Sequence, residues 1–97
     1  MATYISLLSL TEQGVRNARD IPQRIADARK MFATLHVELK DLYLTTGAYD
    51  YVMVIDAPDD ETAAKALLSL AMRGNVRSQT SRAFPIEELE RIVGDLH

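Results

Sequence analysis

Tyr49-Asp50-Tyr51-Val52-Met53-Val54-Ile55-Asp56-Ala57-Pro58-Asp59-Asp60-Glu61 holds the transition that decides the fold. Tyr49 to Asp56 is the most apolar segment of the chain, of strand length and rich in β-branched and aromatic side chains. No polar residue interrupts Tyr51 to Ile55, so both faces of this strand are apolar, as in a central strand. Pro58 closes the run, Asp59 is a helix N-cap, and Asp60 and Glu61 put negative charge where the helix dipole favours it. Ala63, Leu67 and Leu70 then recur on one helical face, with Ala64, Leu68 and Ala71 beside it, until Gly74 ends the helix after Arg73.

Upstream, Thr46-Gly47-Ala48 is a short hairpin connection in which Gly47 supplies a positive φ. Residues Val37 to Thr45 alternate before it. Val37, Leu39, Asp41 and Tyr43 share one face and Glu38, Lys40, Leu42 and Leu44 the other, so one face is poorly specified. Ile21, Ile25, Ala28, Phe32 and Leu35 form the apolar stripe of an earlier helix, with Asp20 as N-cap, Pro22 in the first turn and Gln23 placed to reach back. Thr3 to Leu10 is the opening strand, and Thr11-Glu12-Gln13-Gly14 is a turn after it. Beyond Gly74, Val76 to Phe84 is an unusually polar strand, and Pro85 opens a closing helix carrying Ile86, Leu89, Val93 and Leu96.

The order is therefore βαββαβ with an added C-terminal helix: an α+β, ferredoxin-like domain over residues 1–97, built on an antiparallel four-stranded sheet. The first and third strands take the centre. The second and fourth, which carry Glu38, Lys40, Arg77, Gln79 and Arg82, take the edges. Both connecting helices lie on one side, which leaves the other sheet face bare. That face is either Tyr4, Leu8 and Leu10 with Val52 and Val54, or Ile5 and Leu7 with Tyr51, Met53 and Ile55. Either set offers roughly 300 Å² of apolar area, several kcal/mol of burial at ~25 cal/mol per Å². A second copy of the chain is the expected cover, with the closing helix folding across as the competing one.

Composition narrows the functions. The 97 residues carry 47% hydrophobic residues, no cysteine and a net charge of −3. A thiolate metal site, a disulfide framework and a cysteine nucleophile are excluded. No stretch approaches the ~20 apolar residues that span a bilayer, and no signal peptide is present, so no membrane partner is expected and cytoplasmic location follows by elimination. Basic residues are scattered among acidic ones, and the strand bearing Tyr51 has no Lys or Arg, which argues against a nucleic-acid partner. His36 and His97 lack neighbours at ligand spacing, so neither a metal nor another cofactor is expected.

Tyr43-Leu44-Thr45-Thr46-Gly47-Ala48-Tyr49-Asp50 resembles the signature of the GYD domain family, named for its Gly-x-Tyr-Asp hairpin. The likeness extends to Thr3-Tyr4-Ile5, Thr11-Glu12-Gln13-Gly14, Ala57 through Ala64 and Gly74-Asn75-Val76-Arg77, and so covers essentially the whole chain. Leu35-His36-Val37 departs from it, since the resemblance implies Gly at that junction. The resemblance further implies a ferredoxin-like fold akin to the dimeric α+β barrels, in which two sheets pack face to face. It implies no established activity.

Two groups of residues are candidates for chemistry. Tyr49 and Asp50, a phenol beside a carboxylate, form an acid/base pair if buried. The plainer reading, which we favour, has Asp50 bonding turn backbone and Tyr49 packing a sheet edge. Arg77 and Arg82 on the polar strand suit a carboxylate or phosphate in a cleft shared with Tyr43, Thr45 and Tyr51. The counter-reading is a charged edge that deters aggregation. The leading functional expectation is an oligomeric module holding a small metabolite in a sheet-to-sheet or inter-subunit cleft. Its alternatives are a cofactor-free enzyme using Asp50 or Tyr49 for proton transfer, and a purely structural interaction protein.

Overall fold

The computed structural model describes residues Met1 to His97. Strand β1 (Ala2–Leu10) leads through a short helix α1 (Glu12–Arg16) and a 3-10 turn (Ala18–Asp20) into helix α2 (Ile21–Thr34). Strands β2 (Glu38–Leu44) and β3 (Tyr51–Ala57) follow, then α3 (Asp60–Ala71), β4 (Val76–Ala83), a second 3-10 turn (Ile86–Glu88) and α4 (Leu89–Gly94). The sheet is antiparallel in the order β2-β3-β1-β4, so the ferredoxin-like arrangement holds and the two most apolar strands are central.

Register decides which side chains share a face. Tyr4 lies opposite Ile55, Ser6 opposite Met53 and Leu8 opposite Tyr51, and directly opposed residues point the same way. The helix side is thus Tyr4, Ser6 and Leu8 with Tyr51, Met53 and Ile55, all buried together with Phe32 of α2 and Ala63, Ala66 and Leu67 of α3. Neither candidate set from the sequence is correct, because each joined the wrong halves of the two strands. The bare face carries Ile5 and Leu7 with Val52 and Val54. Ser6 is the fully buried polar group of the core, and its hydroxyl lies 2.7 Å from the Thr80 hydroxyl on β4.

Strand β2 reaches one clean face through an irregularity. Its register shifts between Leu39 and Asp41, leaving Lys40 out of step. Leu39 then opposes Ile55, while Leu42 opposes Met53 and Leu44 opposes Tyr51, all toward the helices. Asp41 and Tyr43 turn to the bare face, opposite Val54 and Val52. Strict alternation had split these leucines between two faces.

Helix ends correct the sequence reading in places. Asp59 does cap α3, its Oδ1 accepting from the Thr62 amide at 2.7 Å. Asp20 makes no cap, because it ends the 3-10 turn and its backbone is already in the helical region; Gln23 bonds Asp27 instead. Thr11 to Gly14 is not a simple turn. Thr11 caps α1 by accepting from the Gly14 amide, and its hydroxyl donates to the Gly74 carbonyl at 2.6 Å. At the end of α2, Val37 N–H reaches Phe32 O and His36 N–H reaches Ala33 O, the Schellman pattern, with His36 at φ 60. The left-handed residue implied by the resemblance is present there, but it is a histidine. Positive φ among glycines occurs at Gly74 and not at Gly47.

The closing segment does not fold across the sheet. Helix α4 packs mainly on the 3-10 turn before it, and Ile86, Leu89, Val93 and Leu96 stay exposed. No helix is long and apolar enough to cross a membrane.

Gly14 and Gly47 separate two roles of glycine. A Cβ on Gly14 would lie 2.1 Å from the Asn75 carbonyl oxygen, whereas one on Gly47 meets nothing within 4 Å. Gly14→Ala is therefore expected to lower unfolding stability by about 2 kcal/mol or more, and Gly47→Ala to change it by less than about 0.5 kcal/mol, as read from urea midpoints.

Candidate functional site

The helix-free face has the anatomy of a contact surface. Ile5, Leu7, Val52 and Val54 form its centre; Ile5 is 38% exposed and the other three are half-buried. Polar groups surround them. Thr3 Oγ1 donates to Asp56 Oδ1 at 2.8 Å, and Lys40 Nζ lies 3.8 Å from Asp56 Oδ2 on the β2 side. On the β4 side Arg77, Gln79 and Ser81 oppose Ser9, Leu7 and Ile5. Acidic Glu38, Asp41 and Asp56 thus lie toward one margin and Arg77 toward the other. An apolar centre inside a polar rim is how protein interfaces are built.

Above this face sits the β2–β3 hairpin. Asp50 precedes β3 but is tied to the centre of the sheet. Its amide donates to Leu8 O at 2.8 Å, its carbonyl accepts from Thr45 N at 2.8 Å, and its Oδ2 accepts from Leu10 N at 2.7 Å. Thr45 Oγ1 donates to Tyr49 O at 2.5 Å, closing the loop on itself. Tyr49 is half-buried, and its phenol donates to Gln79 Oε1 at 2.9 Å across the top of β1. Tyr49 and Asp50 therefore diverge, one toward the β4 margin and the other into a backbone clamp.

The remaining candidates are scattered within one chain. Tyr43 and Arg77 both face the bare side, but from opposite edge strands. Tyr51 is buried on the helix side. Arg82 is on the helix side of β4, its guanidinium 4.5 Å from the Phe84 ring centre and 5.8 Å from that of Tyr4. The Tyr4 phenol donates to the Asp60 carboxylate in the first turn of α3. This Tyr4–Asp60–Arg82 corner escaped the sequence reading, because no local spacing links residues so far apart in the chain. No group of three His, Cys, Asp or Glu side chains converges on a metal-sized point.

The GYD domain model matches residues 4–93. The chain belongs to the GYD domain family. A relative from Thermus thermophilus, the glutamine synthetase and cystathionine beta-lyase binding protein, is 36% identical over 90 residues, covering 92% of this chain and 95% of that protein. Among solved structures, a feast or famine regulatory protein from M. tuberculosis complexed with L-methionine matches with a TM-score of 0.67 at 14% identity. That match covers 88% of this chain, and the chain spans about half, 51%, of the regulator. TTHA0845 from Thermus thermophilus matches at 0.56 and 22% identity, covering 88% of this chain and 95% of that one. At such identities the structures share the fold.

In this GYD domain the hairpin motif has a mechanical reading. Asp50 supplies the acceptor that the Leu10 amide needs where β1 runs past the end of β3, and Tyr49 pins the loop to β4. Asp50→Ala leaves a part-buried amide without its partner and is expected to cost about 1–3 kcal/mol in urea unfolding. Burial pushes the Tyr51 phenol above its ordinary 10.0, with the Asp50 charge adding and Arg24 opposing. Tyr4 is raised likewise, by burial first and then by its bond to Asp60, with Arg82 opposing. Both phenols ionise more readily in the unfolded chain, so their contribution is complete below about pH 10 and lost as pH rises through the folded-state values. Stability should fall above about pH 10, and Tyr51→Phe should flatten that decline in a pH series of urea midpoints.

Proposed function

We propose that this GYD domain is a non-catalytic protein-binding module that acts as a homo-oligomer, paired face to face through its helix-free sheet. The observation that carries the reading is the stripe of Ile5, Leu7, Val52 and Val54, left facing water while α4 points elsewhere. A second copy covers that stripe with an equal one. With a twofold axis along the strands, the β2 margin of one copy lies over the β4 margin of the other, so Asp41 and Tyr43 come to the levels of the partner's Ser81 and Gln79. The same arrangement brings Tyr43 toward the partner's Arg77, which is where an inter-subunit cleft for a small polar ligand would form.

The relative named for binding glutamine synthetase and cystathionine beta-lyase is similar along nearly its full length, and this supports a protein partner for this chain as well. The divergent placement of Tyr49 and Asp50 favours binding over proton transfer. Location in the cytoplasm, where those two proteins would be met, is part of the same proposal.

Sedimentation velocity at about 20 µM should show a particle of two or more subunits, since the apolar stripe and its polar rim together would be buried between two copies. Val54→Lys with Ile5→Glu should return a folded single subunit, checked by circular dichroism. A lone wild-type subunit overturns the self-association half. Purified glutamine synthetase and cystathionine beta-lyase from the same organism, passed over immobilised wild-type protein, test the partner half, and absence of retention of both overturns it.

A further inference from the structure

A slot opens on the opposite side of the sheet, between α2, α3 and the helix-facing strand residues. Its volume is about 70 Å³, and its wall is apolar, including Leu8, Ile25, Ala28, Tyr51, Met53 and Leu70. Its mouth is not. Arg24, Arg73 and Asn75 edge it, and the same three continue into a shallow outer depression that adds Lys30 and Asp27. We propose that this slot binds a small monocarboxylate with a short aliphatic tail.

Charge at the mouth points to an anion. The three ion pairs of the chain are Arg16–Glu12, Lys40–Asp56 and Arg91–Glu88, so Arg24, Arg73 and Lys30 have no carboxylate partner in a protein of net charge −3. Asp27, the one acid beside them, accepts from Gln23 at 3.0 Å and pairs with none of these cations, so three positive charges face one negative charge. Arg24 is held in place: its guanidinium donates to Gly14 O at 3.0 Å and to Asn17 O at 2.6 Å, leaving other N–H groups of the fork free. The remaining N–H groups of a fixed guanidinium, with a second guanidinium on the same rim, suit a carboxylate.

The slot limits the tail. At this volume it admits roughly three to five carbon atoms, too few for a lipid chain and too narrow for a nucleobase. An α-amino acid would bring an ammonium group against Arg24 and Arg73, with only Asp27 to offset it. The unsubstituted acid is therefore preferred. This site shares no wall with the face assigned to self-association, so the failure of either leaves the other standing.

The test uses the full chain with methyl labels on Ile and Leu. Titration with 4-methylpentanoate should shift the Ile25 and Leu70 methyl signals saturably. Its neutral amide and free leucine should each bind about tenfold more weakly or worse, the loss expected when a charge-assisted bond is removed or opposed. Arg73→Gln, at an exposed position, should weaken the acid by about tenfold without altering the fold. Leu70→Phe should fill the slot and abolish the shifts. The proposal is overturned if the acid produces no saturable shift, if acid and amide bind equally, if leucine binds more tightly than the acid, or if Arg73→Gln leaves affinity unchanged.

Discussion

The β1–β3 pairing is the constraint on which the rest of the molecule depends. Seven consecutive cross-strand pairs, from Ala2 with Ala57 to Leu8 with Tyr51, set two apolar strands side by side at the centre of the sheet. Their shared register puts Tyr4, Leu8, Tyr51, Met53 and Ile55, with both aromatic rings, toward the helices and the aliphatics Ile5, Leu7, Val52 and Val54 away from them. A shift of one residue would exchange those sets and present aromatic rings to water. The Asp50 clamp guards against that slip, since its amide and carboxylate hold the backbone of Leu8 and Leu10 at one end of the ladder.

The second stitch joins the two halves of the fold. Thr11, Gln13 and Gly14 meet Arg73, Gly74 and Asn75 where each βα half changes direction. The contacts are a backbone bond from Thr11 N to Asn75 O, side-chain bonds from Thr11 and Gln13, and a close approach that only glycine permits. Asn75 thereby serves both the stitch and the mouth of the apolar slot.

Two surfaces with different chemistry follow from one layer of helices. On the helix side, α2 and α3 diverge enough to leave a small apolar slot with unpaired cations at its rim. On the other side no helix covers the sheet, and the apolar stripe lies between charged margins. Asp50 of the motif that names the family bonds the backbone of Leu8 and Leu10, and Tyr49 bonds Gln79.

The order of the four strands and the two helices between them, the central rank of β1 and β3, the Asp59 cap and the apolar surplus on the sheet were legible in the chain, because periodicity, capping chemistry and composition are local. The family resemblance was legible too, spread as it is over the whole length. Tertiary structure alone decided which apolar residues face the helices, because that depends on register between strands about fifty residues apart. It also decided the gathering of Leu39, Leu42 and Leu44 onto one face, through an irregularity at Lys40 that no alternation pattern contains. His36 in a left-handed turn, Arg24 and Arg73 at one opening, and Tyr4 against Asp60 belong with these. Such meetings are made by packing of distant segments, and a linear text carries no term for them.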